Sequence, residues 1–209
     1  SLAESYPDVT VYSDFQTALD DPACVAMVIA TPAPTHYVLA KKALLAGKDV
    51  FLEKPMTLSV AEAEEIVQLA GAEEKLLMVG HLLLYQPAVQ WIKEYIDSGA
   101  LGNVRVLTQE RLKLGRVRTA EDVLWSFGVH DLAVLLYLAG RQPDTVEAFG
   151  QYVLQPHIAD DVYLHLSFDG GLRAHLHVSW FWPEQRRLLT IAGSEAMLVY
   201  NEMEQTVTL

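Results

Sequence analysis

The sequence has 209 residues, enough for one large domain or two smaller domains that each bury a core. Its formal net charge of −12 argues against nucleic acid and against an anionic membrane surface as partners, because both attract clustered positive charge. A single cysteine, Cys24, excludes an intrachain disulfide and predicts a cytoplasmic location, and no apolar run approaches the roughly 18 residues that a membrane span needs.

The first part of the chain alternates between strand-like and helical patterns. Apolar runs predict strands at 9–12, 25–30, 50–52 and 76–80, and helical spacing predicts helices at 15–19, 36–46 and 59–70. Ser13 or Asp14 is placed to cap the first helix, Gly47 to end the second and Ser59 to begin the third. This alternation predicts a parallel, doubly wound α/β sheet whose strands are covered on both faces.

The pattern changes after Tyr85. A helix is predicted at 87–97, a half-exposed strand at 104–114 and a strongly apolar helix at 123–138. Strands follow at 146–153, 161–168, 172–181, 187–192 and 196–200, and Asp169-Gly170-Gly171 is a hairpin turn between two of them. A run of strands after βα alternation predicts a second, α+β domain with a largely antiparallel open sheet. We place the boundary near Tyr85, which gives domains at 1–85 and 86–209.

The tripeptide Glu53-Lys54-Pro55 follows the predicted strand at 50–52. In an open parallel sheet, ligands bind just beyond the carboxyl ends of the strands, so a lysine there is placed for chemistry. The proline that follows restricts the backbone that carries it. Taken alone, such a charged pair is more often a surface ion pair than part of a site.

Five local patterns together carry a family resemblance: Thr31-Pro32 with His36, Glu53-Lys54-Pro55, Gly80-His81, the turn at 97–102, and Gly128-Val129-His130-Asp131. In this order they resemble the Gfo/Idh/MocA family of NAD(P)-dependent oxidoreductases. The resemblance implies a Rossmann-like dinucleotide-binding domain followed by the open sheet domain. It also implies hydride transfer between a nicotinamide cofactor, NAD or NADP, and a carbon of a sugar or polyol.

The resemblance also implies roles for single residues. Lys54 matches the catalytic lysine of the family, and His130 matches the histidine that contacts the reacting hydroxyl. The cofactor-binding positions are Thr31, Pro32, His36, Glu53, Lys54 and Pro55. One departure is Ser126, which stands where the family often has an aspartate four residues before the histidine. The proton chemistry is therefore expected to depend more on Lys54.

The substrate is expected to be a sugar or a nucleotide sugar. Residues 111–118 form the densest basic segment of an acidic chain, and basic side chains there would pair with a phosphate or a carboxylate, although a solvated face is equally typical of such a run. The segments 80–87 and 124–131 resemble family members thought to oxidise nucleotide-linked amino sugars. The candidate substrate-binding residues are Tyr85, Arg111, Lys113, Arg116, Ser126 and His130.

A glycine-rich turn, which would place a pyrophosphate at a helix N-terminus, is not found in the sequence. The family pattern therefore predicts that a first strand and turn, and some C-terminal segments, lie outside this sequence at both ends. The alternative to an enzyme is a non-catalytic ligand- or cofactor-binding module that retains the fold, which Ser126 and the missing turn support.

Two further expectations concern the predicted sheet of the second domain. His175 and His177 share a strand face, but no third ligand accompanies them, so we predict no metal site. Trp180, Phe181 and Trp182 line a pocket or form a contact between subunits, and a homo-oligomer through the antiparallel sheet is expected.

Overall fold

The computed structural model describes residues 6–115, 117–119 and 121–209. Its contacts divide the chain into two compact units, with the division between Gly80 and His81, whereas the sequence places the domain boundary near Tyr85. Each unit has its own sheet and its own hydrophobic core.

The first unit contains a three-stranded parallel sheet in the order β1-β2-β3. Its elements are α1 (Phe15–Asp20), β1 (Ala26–Ile29), α2 (His36–Leu45), β2 (Asp49–Leu52), α3 (Val60–Ala72) and β3 (Leu77–Val79). Asp14 caps α1 by accepting a hydrogen bond from the backbone N–H of Thr17, at 2.9 Å. Gly47 follows α2 with a φ of +73°, which only glycine adopts without strain. Ser59 precedes α3, but its side chain makes no capping bond.

Among the described residues of this unit, helices cover one face of the sheet. Met27, Ile29, Val50 and Leu52 pack against the helices in a single core cluster. The other face carries the register row Val28–Phe51–Met78, and Val28 is 75% exposed. The apolar runs predict strands that are covered on both faces. The described helices of this unit cover one face of the sheet, and the other face stays exposed at Val28.

The second unit contains a seven-stranded sheet in the order β10-β9-β8-β4-β7-β6-β5, and among its described strands only β4 and β7 pair in parallel. Its helices are α4 (Pro87–Asp97) and α5 (Val129–Ala139), and its strands are β4 (Val106–Leu112), β5 (Thr145–Gln151), β6 (Asp161–Ser167), β7 (Arg173–Ser179), β8 (Arg186–Ala192), β9 (Met197–Asn201) and β10 (Thr206–Thr208). Both helices pack on one face, where Ile92 and Leu135 join Leu107, Leu176 and Leu189 in the core. The prediction of a parallel Rossmann-like sheet followed by a largely antiparallel domain is confirmed.

Three sequence predictions differ from the structure. Residues 9–12 do not form a strand, because no other described strand pairs with them. The helix predicted at 123–138 is confirmed from Val129 onward as α5, but its first part is a π-helical turn, Leu124–Gly128. Trp180 lines no pocket: it is fully buried, and its indole Nε1 donates a hydrogen bond to Asp160 Oδ1 at 2.6 Å.

Gly193, in the turn between β8 and β9, has no room for a side chain. A Cβ there would overlap the backbone carbonyl of Leu101, which accepts a hydrogen bond from the Glu195 N–H at 3.1 Å. We expect Gly193→Ala to lower the free energy of unfolding by at least about 2 kcal/mol, because the obstacle is backbone rather than a movable side chain. All four tryptophans lie in the second unit, so urea unfolding followed by tryptophan fluorescence measures the effect.

Gly150→Ala is the matched control for this prediction. A Cβ on Gly150 would meet the Ala159 side chain at 3.4 Å, an ordinary contact distance. Its unfolding free energy should stay within about 0.5 kcal/mol of the parent protein. Equal stability of the two variants would contradict the predicted clash at Gly193.

Candidate active site

Three chain segments leave the carboxyl edge of the first sheet side by side. Thr31 follows β1, Glu53 and Lys54 follow β2, and Gly80 follows β3. The Glu53 N–H donates to the carbonyl of Ile29 at 2.9 Å, and the Gly80 N–H donates to the carbonyl of Leu52 at 2.8 Å, which continues the parallel pairing to the edge. The structure thus brings together the residues that the sequence predicts for the cofactor, at the edge where parallel sheets bind ligands.

Gly80 leaves space for the side chain of Glu53. A Cβ on Gly80 would lie 3.3 Å from Phe51 Cζ, tighter than most side-chain contacts, and 3.4 Å from Glu53 Cδ. The missing side chain therefore allows the Glu53 carboxyl group to lie against the end of β3. A carboxylate held at this edge is a suitable acceptor for sugar hydroxyl groups, so these residues fit the ribose of a dinucleotide.

His36 connects two of the three segments. Its side chain is 1% exposed; Nδ1 lies 2.7 Å from the carbonyl oxygen of Pro55, and Nε2 lies 2.8 Å from the carbonyl oxygen of Thr31. Both ring nitrogens are thus occupied by backbone groups. His36 supports the predicted cofactor-binding segments through their backbone, on each side of Lys54.

We expect His36→Ala to loosen both segments, because it removes the ring that lies between them, including the N–H whose hydrogen bond a carbonyl oxygen there accepts. Such a loss costs about 1–3 kcal/mol. Hydrogen exchange measured by mass spectrometry should show faster exchange in peptides that cover residues 26–57, and unchanged exchange in the second unit. Val38→Ala, at an exposed position of the same helix, is the control and should leave exchange unaltered. Unchanged exchange in His36→Ala would show that the imidazole does not hold the segments.

The π-helical turn Leu124–Gly128 carries Ser126 and leads directly to His130 in the first turn of α5. Ser126 is buried and His130 is half-buried. The Trp125 N–H donates to Asp122 Oδ1 at 3.0 Å at the start of the turn. π-Helical turns are rare and occur frequently at functional sites. The apolar helical pattern of the sequence gives no signal for this turn.

Lys113 lies beside the same turn. Its Nζ is 5.1 Å from the centroid of the Phe127 ring, within the range of a cation–π interaction. Phe127 in turn meets Trp180 edge to face, with ring centroids 6.3 Å apart. Tyr85 ends the 3-10 turn Leu82–Tyr85 and is exposed, and Arg116 lies outside the described residues.

Arg111 differs from the other candidate substrate residues. Its guanidinium is buried and bonds to the carboxylates of Asp131 and Glu202. Because the N–H donors of the guanidinium already bond to these carboxylates, few are available to a substrate. We therefore remove Arg111 from the candidate substrate-binding residues. The signal that the sequence analysis missed is Asp131, because a carboxylate within a largely apolar helix requires a polar partner such as a buried cation.

Other polar groups of the second unit lie apart from these residues. His177 Nε2 contacts Asp161 Oδ1 at 2.7 Å beneath the stacked ring of Tyr163, and the Nδ1 atoms of His165 and His175 lie 2.7 Å apart. Within the described part of the chain, no three His, Cys, Asp or Glu side chains are grouped as ligands for a metal ion.

A cavity of about 410 Å³ in the second unit contains none of the candidate residues. Arg105 and Arg141 line it beside Ile96 and Ala139, at the C-terminal ends of α4 and α5. Cations near helix C-termini complement the helix dipoles, which explains the two arginines without a ligand. In the ranges that the structure describes, no helix is long and apolar enough to cross a membrane.

Comparison with known proteins assigns the fold and these residues to a class of oxidoreductases. The model of the oxidoreductase family with an NAD-binding Rossmann fold matches residues 2–81, and that of the GFO/IDH/MocA C-terminal domain matches residues 89–199. The chain therefore belongs to the Gfo/Idh/MocA oxidoreductase family. The predictions of this family and of an NAD or NADP cofactor are confirmed.

Individual relatives are dehydrogenases. UDP-N-acetylglucosamine 3-dehydrogenase of Acidithiobacillus ferrooxidans is 32% identical over 167 residues, which cover 79% of this chain and 52% of the relative. The NADP(+)-dependent scyllo-inositol 2-dehydrogenase IolW of Bacillus subtilis is 29% identical over 95% of this chain and 58% of its own length. The chain thus spans about half the length of these curated relatives.

The fold agrees with a solved structure of the same kind. The structure of UDP-N-acetylglucosamine 3-dehydrogenase GnnA from Acidithiobacillus ferrooxidans superposes with a TM-score of 0.86 at 27% identity, covering 99% of this chain and 66% of that chain. A putative oxidoreductase from Magnetospirillum magnetotacticum superposes with a TM-score of 0.85 at 31% identity, covering 94% of this chain and 64% of that chain.

Proposed function

We propose that the protein is an NAD(P)-dependent dehydrogenase or reductase that transfers a hydride between nicotinamide and a hydroxyl or keto carbon of a sugar or nucleotide sugar. The observation that carries the proposal is the position of Lys54 at the carboxyl edge of β2, between Thr31 and Gly80 and next to the carbonyl that His36 binds. A lysine there is placed to exchange a proton with a ligand at that edge.

The cofactor would be held by Thr31, Pro32, Glu53, Lys54 and Pro55, and it supplies the hydride acceptor or donor when bound. Oxidation of a secondary alcohol also requires a base for the hydroxyl proton. Lys54 takes this role, and His130 orients the hydroxyl group. In the reverse direction, the Lys54 ammonium would polarise the carbonyl and return the proton.

The substrate class within the family is the finer part of the proposal. The segments at 80–87 and 124–131, together with the UDP-N-acetylglucosamine dehydrogenase relative, favour a nucleotide-linked amino sugar. Tyr85, Lys113, Ser126 and His130 are the proposed substrate residues, and Arg116 stays a candidate from the sequence alone. A cytoplasmic location also remains a prediction, which rests on the single cysteine.

Lys54→Met tests the proposal. We expect turnover to fall by about 10²- to 10⁴-fold, the usual contribution of a general acid or base, while cofactor binding is retained. The assay follows reduced-nicotinamide absorbance with UDP-N-acetylglucosamine, other UDP-sugars, free sugars and inositols as substrates. Lys42→Met, at an exposed position of α2, removes the same charge and should turn over at the parent rate.

Near-normal turnover of Lys54→Met would remove this lysine from the mechanism. A parent protein that binds the cofactor tightly but turns over no member of the substrate panel would favour the alternative, a binding module that retains the fold.

The homo-oligomer is also a proposal. The sheet face opposite α4 and α5 exposes Phe149 and Met197, each 58% exposed, at opposite ends of the sheet. Association of two such faces would bury both side chains. We expect the double variant Phe149→Lys, Met197→Lys to lower the molar mass measured by light scattering to that of a monomer. The double variant Val9→Lys, Val11→Lys adds the same charge at exposed positions of the first unit and is the control. A parent protein that is already monomeric would contradict the proposal.

A further inference from the structure

Asp131 is a carboxylate without any exposed surface, in the first turn of α5. Arg111 Nε donates to its two oxygens at 2.9 and 2.7 Å, and Gln109 Nε2 donates to Oδ1 at 3.0 Å. Gln109 and Arg111 both lie on β4. The carboxylate therefore ties the start of α5 to the middle of the sheet.

Arg111 extends this connection to two more strands. Its Nη2 donates to Glu202 Oε2 at 2.8 Å, and Arg187 Nη1 donates to Glu202 Oε1 at 2.8 Å. Arg187 lies on β8 and Glu202 directly follows β9, which are the next two strands of the sheet. We call Arg111, Asp131, Arg187 and Glu202 the charge network. Its two cations balance its two anions; Arg111 and Asp131 are buried, and Arg187 is 30% exposed.

The network depends on its arginines. Burial raises the pKa of Asp131, and the Arg111 guanidinium acts in the opposite direction. Burial also acts to raise the pKa of Glu202, but Arg111 and Arg187 lower it overall. Removing one partner of such a group is costly, because it leaves a charge buried and uncompensated.

The network acts on the residue that precedes Asp131. Consecutive helical residues leave the axis about 100° apart, so the direction of the His130 ring is set by the same rotation of α5 that places Asp131 over β4. A rotation of about 10° moves a ring that lies about 6 Å from the axis by about 1 Å. A misplacement of about 1 Å can lower a catalytic rate about 100-fold.

A second contact fixes the other end of the same segment. The Val123 N–H donates to the carbonyl of Ala159 at 3.0 Å, just before the π-helical turn. The turn and His130 therefore lie between two attachments, one made by backbone and one by the charge network. We infer that Arg111, Asp131 and Glu202 are positioning residues for His130, because they fix the rotation of α5 against β4. The inference rests on the proposed role of His130.

The test replaces the three most buried members of the network and leaves Arg187, whose side chain is 30% exposed, to be hydrated by water. In the full chain, Arg111→Met, Asp131→Leu and Glu202→Met together exchange the buried charges for apolar side chains, an exchange that often preserves or raises stability. We expect a folded protein whose kcat falls about 10- to 100-fold while the cofactor dissociation constant changes less than about twofold. The NMR titration midpoint of the His130 ring should shift in the same variant.

Arg111→Lys is the conservative variant, which keeps the charge but loses the planar pair of donors. It should lower kcat by about tenfold and shift the same midpoint, and it carries the test if the triple variant does not fold. Arg105→Gln, at an exposed position just before β4, is the control and should leave kcat and the midpoint unchanged.

Two outcomes separate the inference from the function on which it rests. Parent-like kcat and an unchanged His130 midpoint in a folded triple variant, or in Arg111→Lys, would overturn the positioning role. His130→Ala is the reference for the proposed function. If it turns over at the parent rate, the role of His130 itself is wrong, whatever the network variants do.

Discussion

The carboxylate of Asp131 is the strongest constraint on the second unit, because it has no exposed surface and lies in a largely apolar helix. Water cannot compensate such a group, so the protein must supply the donors, and Arg111 and Gln109 do so from one strand. Hydrogen bonds depend on direction and apolar contacts do not, so the bonds of Asp131 restrict the rotation of α5 against the sheet more than leucines would.

In the first unit, the polar groups that need a hydrogen-bond partner are neutral backbone carbonyls rather than a buried carboxylate. The chain must leave the helix–strand layer at Thr31 and at Pro55, where no regular partner is available for the carbonyl groups. His36 lies between them and offers one ring nitrogen to each. A neutral imidazole carries one N–H and donates to one carbonyl, so its burial in the first turn of α2 supplies a donor where the backbone offers none.

Much of the fold could be predicted from the sequence, because the pattern of apolar residues reports burial directly. The apolar runs around Met27 and Val50 form strands as predicted, Asp14 begins α1 and Gly47 ends α2. Residues 9–12 fit the same pattern, yet a strand also needs a partner, which a local pattern cannot show.

The candidate site was predictable only in part, because its residues depend on what lies opposite them. Alternation along β4 places Arg111 on one face, but it does not reveal that Asp131 and Glu202 meet it there. The π-helical turn adds a residue to a helical repeat without changing its composition, so no sequence period marks it. In each case the missing information is a long-range contact.

The two proposed catalytic groups need different kinds of support, and the structure supplies each kind. A lysine side chain is long and reaches its target through several rotatable bonds, so what must be fixed is the backbone from which it starts. The bond between His36 and the carbonyl of Pro55, the residue after Lys54, does this. An imidazole is short and rigid, and its direction follows the helix that carries it. The bond between Asp131 and Arg111 therefore fixes the direction of the His130 ring by fixing the rotation of α5. A flexible loop at the same position would not fix that direction.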